Sequence, residues 1–246
     1  MRFRRHGLPE EGEALIAQHL AVWPLLGDDE QQRLLQITDE LLAGKTWEAA
    51  RDFELTDTVR VVIAAQAALL VLGLGTDHYG LVSGIIVHPS TLRTAGVQAG
   101  PSPGTVSADR LAVLGLAQSG RGPVALAWDQ VLAGAHRSEP GANVVLHEFA
   151  HKLDMLDGTI DGTPVLPADL RADWIRVCTE VYEDLVGGRP RPPMRWYGAT
   201  NPGEFFAVAT EVFFEQSREL AMYEPELYAV LTRFYRQDPA AREAAL

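Results

Sequence analysis

The stretch NVVLHEFAHKLDMLDG, residues 143–158, sets two histidines four residues apart, with a glutamate directly after the first. In an α-helix, residues i and i+4 lie one above the other on the same face. His147 and His151 can therefore aim two imidazoles at one ion. Glu148 is displaced around the helix. From there it can reach a metal-held water without being a ligand, the position that the general base of a zinc peptidase needs. Val145, Phe149, Leu153 and Leu156 fall at i, i+4, i+8 and i+11, an apolar stripe facing the core. The histidines occupy the neighbouring stripe, toward a cleft. A five-residue motif also recurs by accident, so its setting matters: it lies in a periodic apolar helix just after strand-like sequence.

The rest of the chain bounds that reading. Its 246 residues are 47% hydrophobic and 22% charged, which suits one sizeable domain. We take 1–246 as a single unit, with a helical N-terminal part over 1–75 and a catalytic core over 76–246. A formal net charge of −12 argues against non-specific nucleic-acid binding, which needs a basic surface. The single cysteine, Cys178, excludes a disulfide within the chain and a four-cysteine zinc site, and its helical surroundings read as a core thiol. MRFRRHGLPEEGE begins basic, but no apolar run follows as in a signal peptide. The apolar stretch 61–75, VVIAAQAALLVLGLG, is shorter than the roughly 20 residues of a membrane span and holds Gln66. The expectation is a cytoplasmic protein with no membrane partner.

Residues 10–23 and 28–43 read as amphipathic helices, the second capped by Asp28 and burying Leu34, Leu35, Ile37, Leu41 and Leu42. Residues 56–74 read as a central helix. LVSGIIVHPS, 81–90, reads as a strand, and GVQAGPSPGTVS, 96–107, as a loop. RLAVLGLA, 110–117, and GPVALAWDQV, 122–131, flank QSGRG as the arms of a hairpin. The second arm is either a core strand or an edge strand on which an extended peptide could pair. Further helices are expected over 168–186, 204–216 and 224–237, with a long connection at 187–203. Helices, then a few strands, then helices make an α+β fold. His6, His19, His78 and His136 read as surface residues, and His88 as the end of a strand.

A catalytic zinc site needs a third protein ligand. Asp157 stands where a metzincin carries its last histidine, but Asp154 occupies the glycine position that makes that turn cheap. Asp154 is alternatively a support for His151, or a plain helix-end residue. The other source is NPGEFFAVATEVFFE, 201–215. Asn201 or Thr200 can cap this helix, Pro202 suits its first turn, and Glu204 follows either as a capping-box glutamate or as a ligand. The helix is apolar on most faces, so its acids need partners. Glu204 and Glu211 are seven apart on one face; one can bind zinc and the other brace a ligand. The residues alone leave these choices open.

HEFAHKLD, followed about fifty residues later by YGATNPGEFFAVATEVFF, resembles the MtfA (Mlc titration factor A) family of bacterial zinc peptidases. LVSGIIVHPS, GPVALAWDQV and FYRQDP are similar to family segments as well. The family's core is similar to the protease domain of anthrax lethal factor. The resemblance implies a zincin-like core with a small mixed sheet and N-terminal helices packed on it. It implies one Zn²⁺ per chain on His147, His151 and Glu204. It also implies that Tyr197, seven residues before Glu204, donates to the oxyanion; otherwise Tyr197 is an ordinary loop aromatic beside Trp196. The expected activity is peptide hydrolysis with Glu148 as general base, with the choice between aminopeptidase and endopeptidase action left open. Partners are then a peptide or protein substrate and, by the resemblance only, a repressor of the Mlc type. The rival reading is a regulatory protein that sequesters such a repressor around a structural zinc.

Overall fold

The computed structural model describes residues 7–50, 53–90, 122–137 and 140–244. Helix α1 spans Gly12–His19 and α2 spans Asp28–Gly44. Asp28 is the first residue of α2, not its cap: the cap position is Gly27, whose N–H donates to Glu30 Oε2 at 3.2 Å. A carboxylate in the first turn still faces the helix's exposed N–H groups. α2 buries Leu34, Ile37, Thr38, Leu41 and Leu42.

Strand β1, Thr46–Ala49, went unread in the sequence, because four residues with mostly exposed side chains carry no alternation signal. Its partner makes it a strand. β1 pairs in parallel with β2, Val82–His88, opposite Gly84 to Val87. A side chain at Gly84 would stand 2.6 Å from the Thr46 carbonyl, so the missing Cβ lets the two strands close. Between them runs α3, Asp57–Leu70, capped by Thr56 and buried all round from Val61 to Leu70. β1–α3–β2 is thus one βαβ unit inside the α+β whole.

Strand β3, Gly122–Ala127, adds to β2 in parallel, giving the order β1-β2-β3. The sheet expected to be mixed is therefore parallel across its three described strands. The first arm of the expected hairpin, 110–117, and the loop 96–107 lie outside the described residues. The second arm is shorter than expected: after Ala127 the chain turns into α4, Trp128–Ala135. The helical signal was there, with Asp129 in the first turn and Val131, Gly134 and Ala135 buried at i, i+3 and i+4.

The motif helix α5 spans Val144–Asp154 and ends in a short turn, Met155–Asp157. Asn143 caps it, its Oδ1 accepting from Val145 N at 3.0 Å and Leu146 N at 3.1 Å. Then come α6, Arg171–Val186; a turn, Trp196–Ala199; α7, Pro202–Glu215; α8, Ser217–Tyr223; α9, Pro225–Tyr235; and α10, Pro239–Ala244. α5 packs chiefly on α7 and also on α3. One buried apolar cluster runs from Ile16 on α1 to Tyr235 on α9. Around Trp174, Phe206, Phe213, Phe234 and Tyr235 the rings meet mostly edge to face. Among the described residues no helix is long and apolar enough to cross a membrane.

Candidate metal centre

α5 and α7 cross with their polar stripes facing each other, and His147, His151 and Glu204 meet there. The sequence fixes their approach at both helix starts. Asn143 begins α5 one turn before His147. Asn201 begins α7, its Oδ1 accepting from Glu204 N at 2.9 Å, with Pro202 in the first turn. Glu204 therefore sits in that first turn with its N–H capped and its side chain free for the histidines.

The donor atoms are close. His147 Nε2 lies 3.2 Å from His151 Nε2 and 3.1 Å from Glu204 Oε2, and His151 Nε2 lies 3.5 Å from Glu204 Oε1. A tetrahedral ion with ligand arms of 2.0–2.1 Å has edges of about 3.3 Å, so these separations suit one. The ring of His147 is oriented from behind. Its Nδ1 lies 2.8 Å from Glu211 Oε1, and with Nδ1–H donating there, Nε2 is the nitrogen left to face Glu204 and His151 and to ligate an ion. Glu204 Oε2 is buried and accepts no hydrogen bond from the described residues. Two imidazole nitrogens and a carboxylate converging on one point fit a cation, with a proton on His147 holding that place when no metal does.

The electrostatics agree. Burial works against charging His147, but Glu204 and Glu211 outweigh it and raise its pKa to about 10. Burial likewise favours the neutral form of Glu204, yet His147 and His151 hold it well below the usual carboxylate range. The cluster favours a positive charge at its centre. Glu148, beside the histidines and partly buried, is raised by burial, against the opposing pull of His147 and His151. Tyr197 lies on the Trp196–Ala199 turn, its ring centroid 6.1 Å from that of His147.

Other sequence candidates fall elsewhere. Asp157 is exposed, and its Oδ1 accepts from Thr159 N at 3.0 Å and Thr159 Oγ1 at 2.7 Å, a local turn outside the donor cluster. Asp154 is fully buried and turns to Gly162 N, 2.9 Å from its Oδ2, rather than to His151; burial raises it to about 6. Burial pushes the Cys178 thiol up to about 12, as a core thiol requires. His19 and His136 stack on each other near the surface.

The sequence reading missed the groups behind Glu211. Arg195 Nη2 donates to Glu211 Oε1 at 2.5 Å, and Asn143 N donates to Oε2 at 2.5 Å. Asn143 Nδ2 further donates to Gln66 Oε1 and Glu215 Oε1, each at 2.9 Å. Glu215 was findable as a third acid on an apolar helix, four residues after Glu211. Arg195 was not, since nothing distinguishes it from Arg189 and Arg191 in the same connection.

Residues 1–236 match the family described as glucose-regulated metallo-peptidase M90. The chain belongs to that family. Relatives share nearly the full length. An uncharacterized protein of Synechocystis sp. is 35% identical over 238 residues, 94% of this chain and 86% of that protein. Proteins named Mlc titration factor A are 33% identical in Serratia proteamaculans, over 92% of this chain and 90% of that one, and 34% identical in Edwardsiella ictaluri, over 88% and 84%. Membership in M90 makes the His147, His151, Glu204 cluster a candidate metal centre of a metallopeptidase-type protein.

Proposed function

We propose that the chain is a zinc-dependent peptidase in which His147, His151 and Glu204 hold the ion, Glu148 is the general base and Tyr197 donates to the oxyanion. The observation that carries this is the convergence of three donors from two helices at tetrahedral spacing, with a separate carboxylate beside them. Zinc is the ion best suited to two imidazoles and one carboxylate with a fourth position open. When bound, it supplies Lewis-acid activation of a water and of the scissile carbonyl.

The chain's own groups do the rest. Glu148 takes a proton from the attacking water and passes it to the departing amine, a role helped by burial, which raises its pKa above the ordinary carboxylate value. The Tyr197 hydroxyl donates a hydrogen bond to the carbonyl oxygen as charge develops there. The substrate is a peptide or protein, and β3, paired with β2 alone among the described strands, is the strand along which an extended segment would lie. Aminopeptidase action in a cytoplasmic setting completes the reading.

Glu148→Gln is expected to retain zinc while peptide hydrolysis falls by roughly 10²-fold to 10⁴-fold. Undiminished hydrolysis would sink the mechanism. Zinc content is expected to collapse in Glu204→Ala and to survive in Asp157→Ala; the reverse would move the third ligand to Asp157.

The relatives' name, Mlc titration factor A, supports a second reading, that an Mlc-type repressor is a binding partner. A purified repressor of that type tests it. Capture that persists in Glu148→Gln and after metal removal would favour a regulatory role independent of catalysis.

A further inference from the structure

Glu211 lies on the face of α7 turned to α5, and its side chain is 4% exposed. A buried carboxylate must be matched by donors. Three reach it, and they come from three different places. His147 Nδ1–H and Arg195 Nη2–H share the single acceptor Oε1, at 2.8 and 2.5 Å. Asn143 N–H takes Oε2. The carboxylate thus joins a ligand ring, the start of the helix that carries it, and the segment leading into Tyr197.

Arg195 is more than a counter-charge in that arrangement. Its backbone starts the Trp196–Ala199 turn, with Gly198 N donating to Arg195 O at 3.0 Å. Tyr197 is therefore two residues along a closed turn from a guanidinium fixed to the same oxygen that fixes His147. A guanidinium holds a direction as well as a charge, which an ammonium does not. Because His147 and Arg195 share Oε1, a shift of the His147 ring that displaces this oxygen is passed on to Arg195.

We infer that Arg195 is a positioning residue that acts through Glu211, holding His147 in the orientation that ligates metal and coupling metal binding to the placement of the Tyr197 turn. This rests on the peptidase reading of the centre. Removing Arg195 leaves Glu211 in place with one fewer restraint, so His147 still has its acceptor but the turn is uncoupled from it.

The test uses the full chain and zinc itself. Affinity is read by chelator competition, and backbone amide exchange is read over residues 194–199 with and without zinc. In the wild type, zinc is expected to slow exchange at 196–198. Arg195→Ala is expected to bind zinc roughly 10-fold to 100-fold more weakly, the range for partners of metal ligands, and to lose the zinc-dependent protection. Arg195→Lys should recover part of the affinity and little of the protection. Arg189→Ala, which removes a surface arginine of the same connection, should change neither. If Arg195→Ala does not fold, Arg195→Lys carries the test, and wild-type protection in it overturns the coupling. Unchanged affinity and protection in Arg195→Ala overturn the inference. Glu204→Ala separates the two levels. Zinc retained there means the centre itself has been misread, whereas zinc lost there with Arg195→Ala unaffected defeats this inference alone.

Discussion

At the residue scale the centre turns on which acid faces which nitrogen. Glu204 and Glu211 lie on one face of α7, yet they address opposite ends of His147: Glu204 its Nε2 and Glu211 its Nδ1. Behind them Glu215 accepts from Asn143 Nδ2 and, at 3.0 Å, from Gly141 N, and it feels the charges of Arg137 and Glu211. Burial nevertheless raises it from an ordinary 4.5 to about 7. A carboxyl raised on folding contributes stability fully below its unfolded pKa, and that contribution is lost as pH climbs through the folded value. In the metal-free chain this amounts to roughly 3 kcal/mol lost between about pH 4.5 and pH 7. Urea unfolding at pH 5 and pH 7.5 should show a smaller difference in Glu215→Gln than in wild type; an equal difference removes Glu215 as its source. Gly162 offers a second residue-scale check. Its φ is +75°, and an added Cβ would meet the Pro202 carbonyl at 2.4 Å. Gly162→Ala should lower the melting temperature through a loss of about 1–3 kcal/mol, and because Pro202 opens α7 it should also weaken metal binding at Glu204.

At the scale of elements, each helix of the candidate centre is aimed from its N-terminus. α5 begins at Asn143, whose side chain caps two N–H groups and also reaches Gln66 on α3 and Glu215 on α7. Asn143→Ala should cost about 1–2 kcal/mol for the cap alone, and more because Gln66 and Glu215 lose their donor in a buried place. Asn143→Asp preserves the cap acceptor but not the donor, so it should recover only part; full recovery in thermal unfolding would show that the cap is the whole effect. α3 anchors the arrangement because it is apolar on every face and so has to run through the middle of the molecule.

At the scale of the whole molecule, one apolar cluster runs from Ile16 to Tyr235 and joins the N-terminal helices to the helices of the centre. The C-terminal part reinforces the join. Gln237 Nε2 donates to the Leu69 carbonyl at 2.9 Å, and Arg242 pairs with Glu30 on α2. Residues 7–75 and 76–244 should therefore unfold together. Calorimetry of the metal-free chain is expected to give one transition whose van't Hoff and calorimetric enthalpies agree; two resolved transitions would divide the protein into separate units. Trp174→Ala, which empties the aromatic cluster between α6, α7 and α9, should lower stability by roughly 3–5 kcal/mol.

The sequence by itself determined what spacing and periodicity determine. His147, Glu148 and His151 were legible because one helical turn places them, and α2, α3, α5, α6, α7 and α9 were legible because apolar residues recur at helical intervals. An α+β order followed from the succession of those patterns. Only the tertiary structure decided what depends on contacts between distant segments. β1 is a strand because β2 lies beside it. Glu204, Glu211 and Asp157 are equivalent donors as letters. The crossing of α5 and α7 puts Glu204 on the open side of His147, Glu211 behind it and Asp157 in a turn of its own. Arg195 joined the centre for the same reason: a hydrogen bond spanning 16 residues depends on the path of the chain between them, and local sequence does not encode that path.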